Sequence, residues 1–222
     1  MTKEEILRRI RAVGIIPAIH AGAAEEAKFA VEAISSAGIP IVEITMTVQG
    51  ALDVIADLSR GNPELIIGAG TVLDVDTAKQ SMRAGARFIT SPSLKESVMR
   101  EVQQRGIVAI PGAMTPTEVS AAWELGVDFV KIFPCSALGG PNYIRALKRP
   151  FAKVPLIAAG GVNQQNAADF ILYGADVIGI GAGLVSAESL SHHESKRIRE
   201  LARRFVSSIG KAREQAMGNG IR

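Results

Sequence analysis

One pattern recurs eight times along the 222 residues: a short β-branched or glycine-rich apolar run, a turn, then a polar-apolar segment of helical period. The runs begin near Gly14, Ile39, Leu65, Ala86, Gly106, Asp128, Pro155 and Asp176. The helical segments run from Ala23 to Ala37, Val48 to Arg60, Val75 to Ala84, Leu94 to Gln104, Thr117 to Leu125, Asn142 to Lys148, Gln164 to Tyr173 and Glu188 to Ala216. Gly38, Gly85, Gly126 and Gly174 close several of them, as a left-handed C-terminal cap requires. Strands that alternate with helices pair in parallel, and eight such units predict an α/β chain closed into a (β/α)8 TIM barrel. A composition 47% hydrophobic can fill that core, and nothing marks a linker, so residues 1–222 read as a single barrel domain. Thr2 and Glu5 form a capping-box pattern that starts a short N-terminal helix ahead of the first strand. A doubly wound open sheet, the competing fold, calls for a glycine-rich fingerprint after the first strand, and His20-Ala21-Gly22-Ala23 is a poor match.

A parallel barrel places its chemistry at the C-terminal ends of the strands. Lys131 sits there, in the otherwise apolar run Asp128-Phe129-Val130-Lys131-Ile132-Phe133-Pro134. Burial disfavours a charged ammonium, and a free amine is a nucleophile toward ketones and aldehydes. A second apolar run, Ile39-Pro40-Ile41-Val42-Glu43-Ile44-Thr45-Met46, carries the carboxylate of Glu43. Strand alternation points Lys131 inward with Phe129 and Phe133, and Glu43 inward with Ile41 and Thr45, so amine and carboxylate meet in one cavity. Such a pair suits carbinolamine formation and proton transfer; otherwise it is a buried ion pair that fixes barrel geometry.

Two glycine-rich strand ends, Ala159-Gly160-Gly161-Val162-Asn163 and Gly179-Ile180-Gly181-Ala182-Gly183, offer backbone N–H groups to a phosphate. At the third and fourth strand ends stand Gly68-Ala69-Gly70-Thr71-Val72 and Ser91-Pro92. Thr71 shares parity with Ile67 and Ala69, which would turn its hydroxyl toward the cavity and a substrate carboxylate.

The remaining features are bland. The net charge is +3, but the basic residues concentrate in the last helix and alternate there with glutamates, while the few aromatic residues do not interleave with them as a base-stacking platform would require. That pattern argues for a solvated face and against nucleic acid. No apolar run approaches a bilayer span and the N-terminus lacks a signal peptide's apolar core, so a cytoplasmic chain with no membrane partner is expected. The one cysteine, Cys135, excludes an internal disulfide and reads as inert. His192 and His193 read as solvated, with no third ligand at metal spacing. Trp123 shares a helical stripe with Val119 and Ala122, which predicts a core or subunit-interface position.

Taken in order, Val42-Glu43-Ile44-Thr45, Gly68-Ala69-Gly70-Thr71-Val72, Ser91-Pro92, Ile110-Pro111-Gly112, Thr115-Pro116-Thr117-Glu118, Lys131-Ile132-Phe133-Pro134 and Gly160-Gly161-Val162 form a specific combination. Over nearly its whole length the chain resembles the 2-keto-3-deoxy-6-phosphogluconate aldolases, also called 4-hydroxy-2-oxoglutarate aldolases. The resemblance implies a metal-free, cofactor-free class I lyase acting on a small 2-keto acid, phosphorylated or not. It implies Lys131 as the Schiff-base residue, Glu43 as the proton shuttle, and Thr71 with the Pro92 loop around the pyruvate carboxylate. It further implies Gly160, Gly161 and Gly181 at the phosphate, and a homo-oligomer, a trimer. Other members carry an arginine where this chain has Thr47 or His20. They also carry Pro-Thr where it has Ala158-Ala159, and a serine where it has Ala182. His20 would then stand in for the arginine, as a cation only when protonated. Thr45 and Ala182 complete the candidate substrate-binding set. The alternatives are an aldolase for a related 2-keto-3-deoxy acid, a sugar-phosphate isomerase or synthase on the same barrel, and a non-catalytic binding protein.

Overall fold

The structure is a computed structural model and describes residues 1–218. Each apolar run becomes a short parallel strand: β1 (Ile15–Ile19), β2 (Ile41–Thr45), β3 (Ile66–Gly70), β4 (Phe88–Thr90), β5 (Val108–Ile110), β6 (Gly112–Ala113), β7 (Val130–Ile132), β8 (Leu156–Ala159) and β9 (Val177–Ile180). The spatial order is β5-β4-β3-β2-β1-β9-β8-β7-β6, neighbouring strands in it pair in parallel, and β5 and β6 stand at the two ends of that order. These two are one stave interrupted at Pro111, which has no N–H to donate. Its carbonyl still accepts from the Lys131 N–H at 2.9 Å, and the Phe129 N–H reaches the Ala109 carbonyl at 3.5 Å, so the ladder runs past the break. Eight staves therefore close the barrel, as the recurrence in the sequence predicts.

Alternation along the staves builds two apolar layers. Ile16, Ile41, Ile66, Phe88, Val108, Ile110, Phe129, Ile157 and Val177 fill the barrel interior, while Ile15, Val42, Ile67, Ile89, Val130, Leu156 and Ile178 pack outward against the helices. The interior cluster also contains Ile6 and Ile10 of helix α1 (Lys3–Val13), which therefore plugs one mouth of the barrel. Its start is the capping box read from the sequence: the Glu5 N–H donates to the Thr2 hydroxyl and the Thr2 N–H to the Glu5 carboxylate. Asp128, just before β7, ties the plug down: its carboxylate accepts from the Ala109 N–H at 2.8 Å and pairs with Lys3 at 2.9 Å. Asp176, just before β9, makes the equivalent pair of contacts with the Leu156 N–H and with Lys148 of the outer ring, both at 2.9 Å.

The outer ring consists of α2 (Ala24–Ser35), α3 (Ala51–Gly61), α4 (Val75–Ala84), α5 (Glu96–Gln104), α6 (Pro116–Glu124), α7 (Pro141–Lys148), α8 (Ala167–Leu172), α9 (Ala187–Ser191) and α10 (Ser195–Gly218). The single helix expected from Glu188 to Ala216 is two. His193 takes a left-handed φ of 52° and the Glu194 N–H turns back to the Ser189 carbonyl at 2.9 Å, which ends α9 before α10 starts. Trp123 is 40% exposed although Val119 and Ala122 are buried, so it is not a core residue of this chain. No helix among the described residues is long and apolar enough to cross a membrane.

Candidate active site

A cavity of roughly 320 Å³ opens among the C-terminal ends of the staves, with the plugged mouth at the opposite end. Ala18, His20, Glu43, Thr71, Pro92, Lys131, Phe133, Gly160, Gly161, Gly181 and Ala182 all line it. Lys131 Nζ lies 3.7 Å from Glu43 Oε1, with the two side chains 14% and 5% exposed. That contact is longer than a direct hydrogen bond, so the amine is close to the carboxylate without being locked to it. Nζ also sits 5.5 Å from the centroid of the Phe133 ring, a polarisable wall for a cation.

Glycines make room for these groups. A Cβ on Gly70 would stand 2.0 Å from Glu43 Oε1, so the carboxylate occupies the space a side chain on β3 would take. Gly112 stays bare because the Pro92 carbonyl oxygen lies 2.1 Å from where its Cβ would be. Thr71 reaches the cavity by a route other than the expected one. Ile67 and Ala69 face the helices, so parity alone would send Thr71 outward as well. Its φ of 59° breaks the alternation at the strand end and turns the residue to the cavity wall. A β-branched residue with positive φ is a strained exception, of the kind that collects at functional sites.

The paired glycines both need their residue type. Gly160 and Gly161 each have φ of 84°, and their Cβ atoms would meet Pro134 Cα at 2.8 Å and Ser136 Oγ at 2.4 Å. The loop behind them is pinned: Asn166 donates from its side chain to the Gly161 carbonyl at 3.0 Å and accepts from the Asn163 N–H at 2.8 Å. The other glycine loop leans against it, with the Val162 carbonyl 2.6 Å from the Cβ position of Gly183.

Thr45 differs from the other candidates, because it is fully buried behind the cavity wall. Its hydroxyl donates to the Ile19 carbonyl at 2.9 Å and lies 2.6 Å from the Thr47 hydroxyl. His20 Nδ1 is 3.3 Å from both oxygens. These contacts engage the Nδ1 edge of the ring and leave the Nε2 edge outside them. That edge of the ring lies 3.3–3.6 Å from where a Cβ of Gly181 would be, beside the cavity. The two positions at which arginine is absent thus touch each other.

Cys135 is completely buried, its Sγ donates to the Gly160 carbonyl at 3.4 Å, and burial pushes its thiol up to about 11. It is a structural cysteine under the glycine loop rather than a nucleophile. His192 and His193 are exposed and lie outside the cavity, and His193 stacks edge-on against Phe29. No group of three or more His, Cys, Asp or Glu side chains among the described residues is arranged to hold a metal. The sequence names Val162, Gly179 and Gly183 only within the two glycine-rich runs and gives no reading of Ala18, yet all four line the cavity. Ala18 and Gly179 share inward parity with Ile16 and Val177, a signal that could have found them.

The family description of KDPG and KHG aldolase matches residues 6–201. A 2-dehydro-3-deoxy-phosphogluconate aldolase of Treponema pallidum (strain Nichols) is 31% identical over 93% of this chain and 97% of its own length. A KHG/KDPG aldolase of Escherichia coli (strain K12) is 31% identical over 86% of this chain and 90% of its own. Among solved structures, a KDPG aldolase from Legionella pneumophila with pyruvate captured as a covalent carbinolamine superimposes with a TM-score of 0.82. That match has 28% identity and covers 89% of this chain and 96% of the other.

Proposed function

The chain belongs to the KDPG and KHG aldolase family and is an aldolase of the class I, Schiff-base type, and from that premise we propose how this cavity works and on what. The substrate is 2-keto-3-deoxy-6-phosphogluconate, cleaved to pyruvate and glyceraldehyde 3-phosphate, or 4-hydroxy-2-oxoglutarate, cleaved to pyruvate and glyoxylate. Lys131 Nζ adds to the keto carbon, and loss of water from the carbinolamine leaves an iminium. Glu43 takes the C4 hydroxyl proton as the C3–C4 bond breaks, and the bond's electron pair passes into the iminium to give an enamine. Glu43 then returns a proton to the enamine carbon, and water releases pyruvate. The observation that carries this reading is the 3.7 Å approach of the amine to the one carboxylate that lines the cavity among the described residues.

Thr71 and Pro92 are assigned to the pyruvate carboxylate, and Gly160, Gly161 and Gly181 to the phosphate. Ala159 and Ala182 bring no hydroxyl, so backbone N–H groups carry most of the phosphate recognition. Each missing neutral hydrogen bond is worth only about 0.5–1.5 kcal/mol, which lowers the preference for phosphate without abolishing it. The test compares kcat/KM for the phosphorylated and plain 2-keto-3-deoxy acids. A modest preference for phosphate supports the assignment, one of many orders of magnitude contradicts it, and no cleavage of either acid refutes the reading.

A cytoplasmic homotrimer belongs to the same reading. Exposed Leu73, Met114 and Trp123 supply apolar surface for a subunit contact. A monomer mass by light scattering at micromolar concentration would rule the trimer out.

A further inference from the structure

Thr90 ends β4 with its side chain turned into the barrel, two residues beyond the inward Phe88. It is 1% exposed, and its hydroxyl has no hydrogen-bond partner among the described residues. A buried hydroxyl left unpaired carries its full desolvation cost, whereas valine would fill the same volume without one. The surroundings say what the hydroxyl is for. β3 and β4 pair Gly68 with Phe88 and Ala69 with Ile89, which sets Gly70 beside Thr90. Glu43 Oε1 occupies the position a Gly70 side chain would take. Neighbouring inward positions on paired strands are about 5 Å apart, so the Thr90 hydroxyl is within one water's reach of Oε1. This is the same oxygen that lies 3.7 Å from Lys131 Nζ.

We propose that Thr90 is a positioning residue for Glu43: its hydroxyl holds a water against Oε1. The water satisfies the orphaned hydroxyl and limits the carboxylate to the orientation in which it can exchange protons with the carbon next to the imine. Thr90 touches no reacting atom; it acts through Glu43. The inference rests on Lys131 and Glu43 having the roles proposed above.

The test separates imine formation from proton transfer. Each variant is incubated with pyruvate, and two quantities are read: the borohydride-trapped adduct by mass, and the exchange of pyruvate methyl protons for deuterium in D2O. Thr90→Val is expected to form the adduct as wild type does while exchange slows about 10- to 100-fold. Thr90→Ser, which restores a hydroxyl, recovers most of the exchange rate. A purely structural threonine would give the opposite pattern, with Thr90→Val exchanging at the wild-type rate whatever happens to its melting temperature, and that result overturns the proposal. If valine prevents folding, Thr90→Ala against Thr90→Ser carries the same comparison, and equal exchange rates overturn it. Wild type lacking both adduct and exchange would instead sink the aldolase reading beneath it.

Discussion

At Gly70 a missing methyl group decides where a carboxylate sits. Its Cβ would overlap Glu43 Oε1 at 2.0 Å, so Gly70→Ala must push Glu43 off the Lys131 amine. Expected is a loss of cleavage rate approaching that of Glu43→Gln, about 10²–10⁴-fold, with the trapped lysine adduct still forming. Equal steady-state rates for wild type and Gly70→Ala would show that the position of this carboxylate does not matter. The amine and the carboxylate themselves were readable from the sequence, because an ionisable residue inside an apolar strand is conspicuous and parity then sets its direction. Thr71 was read correctly to the cavity on a wrong premise, since a φ of 59° is a property of the folded turn that alternation cannot express. Thr45 shows the limit from the other side. It has inward parity, but its hydroxyl is consumed by the Ile19 carbonyl and by Thr47, contacts that depend on β1 and β2 lying side by side.

Elements were legible where local chemistry states them. The capping box of Thr2 and Glu5 marks α1 in the sequence; Thr115 and Glu118 cap α6 in the same way, with Pro116 at the first helical position, one residue ahead of the expected start at Thr117. The Glu118 carboxylate accepts from the Met114 and Thr115 N–H groups, both at 2.7 Å, and these bonds hold it below the usual carboxylate range. A group whose pKa falls on folding binds fewer protons in the native state. Its stabilisation is therefore complete above the unfolded carboxylate range and is lost as the pH drops through the folded value. Thr115→Ala is expected to cost about 0.5–2 kcal/mol in urea unfolding at neutral pH. Glu118→Gln should destabilise at neutral pH, and its deficit should shrink in acid; a deficit that does not change with pH would contradict that role for the carboxylate. Two boundaries escaped sequence reading. Pro111 splits a stave because it lacks a ladder donor, yet its carbonyl keeps the stave in register. The break between α9 and α10 rests on a left-handed His193, a residue type that does not announce such a turn.

Across the molecule the two ends of the barrel divide the labour. One mouth is plugged by Ile6 and Ile10 and fastened by the Lys3–Asp128 pair. At the other the staves stop short, and glycines at 70, 112, 160, 161 and 183 let backbone and functional groups approach more closely than any side chain would allow. The barrel could be anticipated because eight repeats of one unit leave few closed arrangements, whereas the plug needed the structure, since an amphipathic first helix does not say which surface it covers. The claim that organises all of this is that the amine in the open end is the one that bonds to substrate. Its most direct test is to incubate the protein with pyruvate, reduce with borohydride, digest, and locate the added mass. One adduct per chain on the peptide containing Lys131, absent in Lys131→Ala, is the expected result, and a label on Lys95 or Lys153, or no label at all, would contradict it.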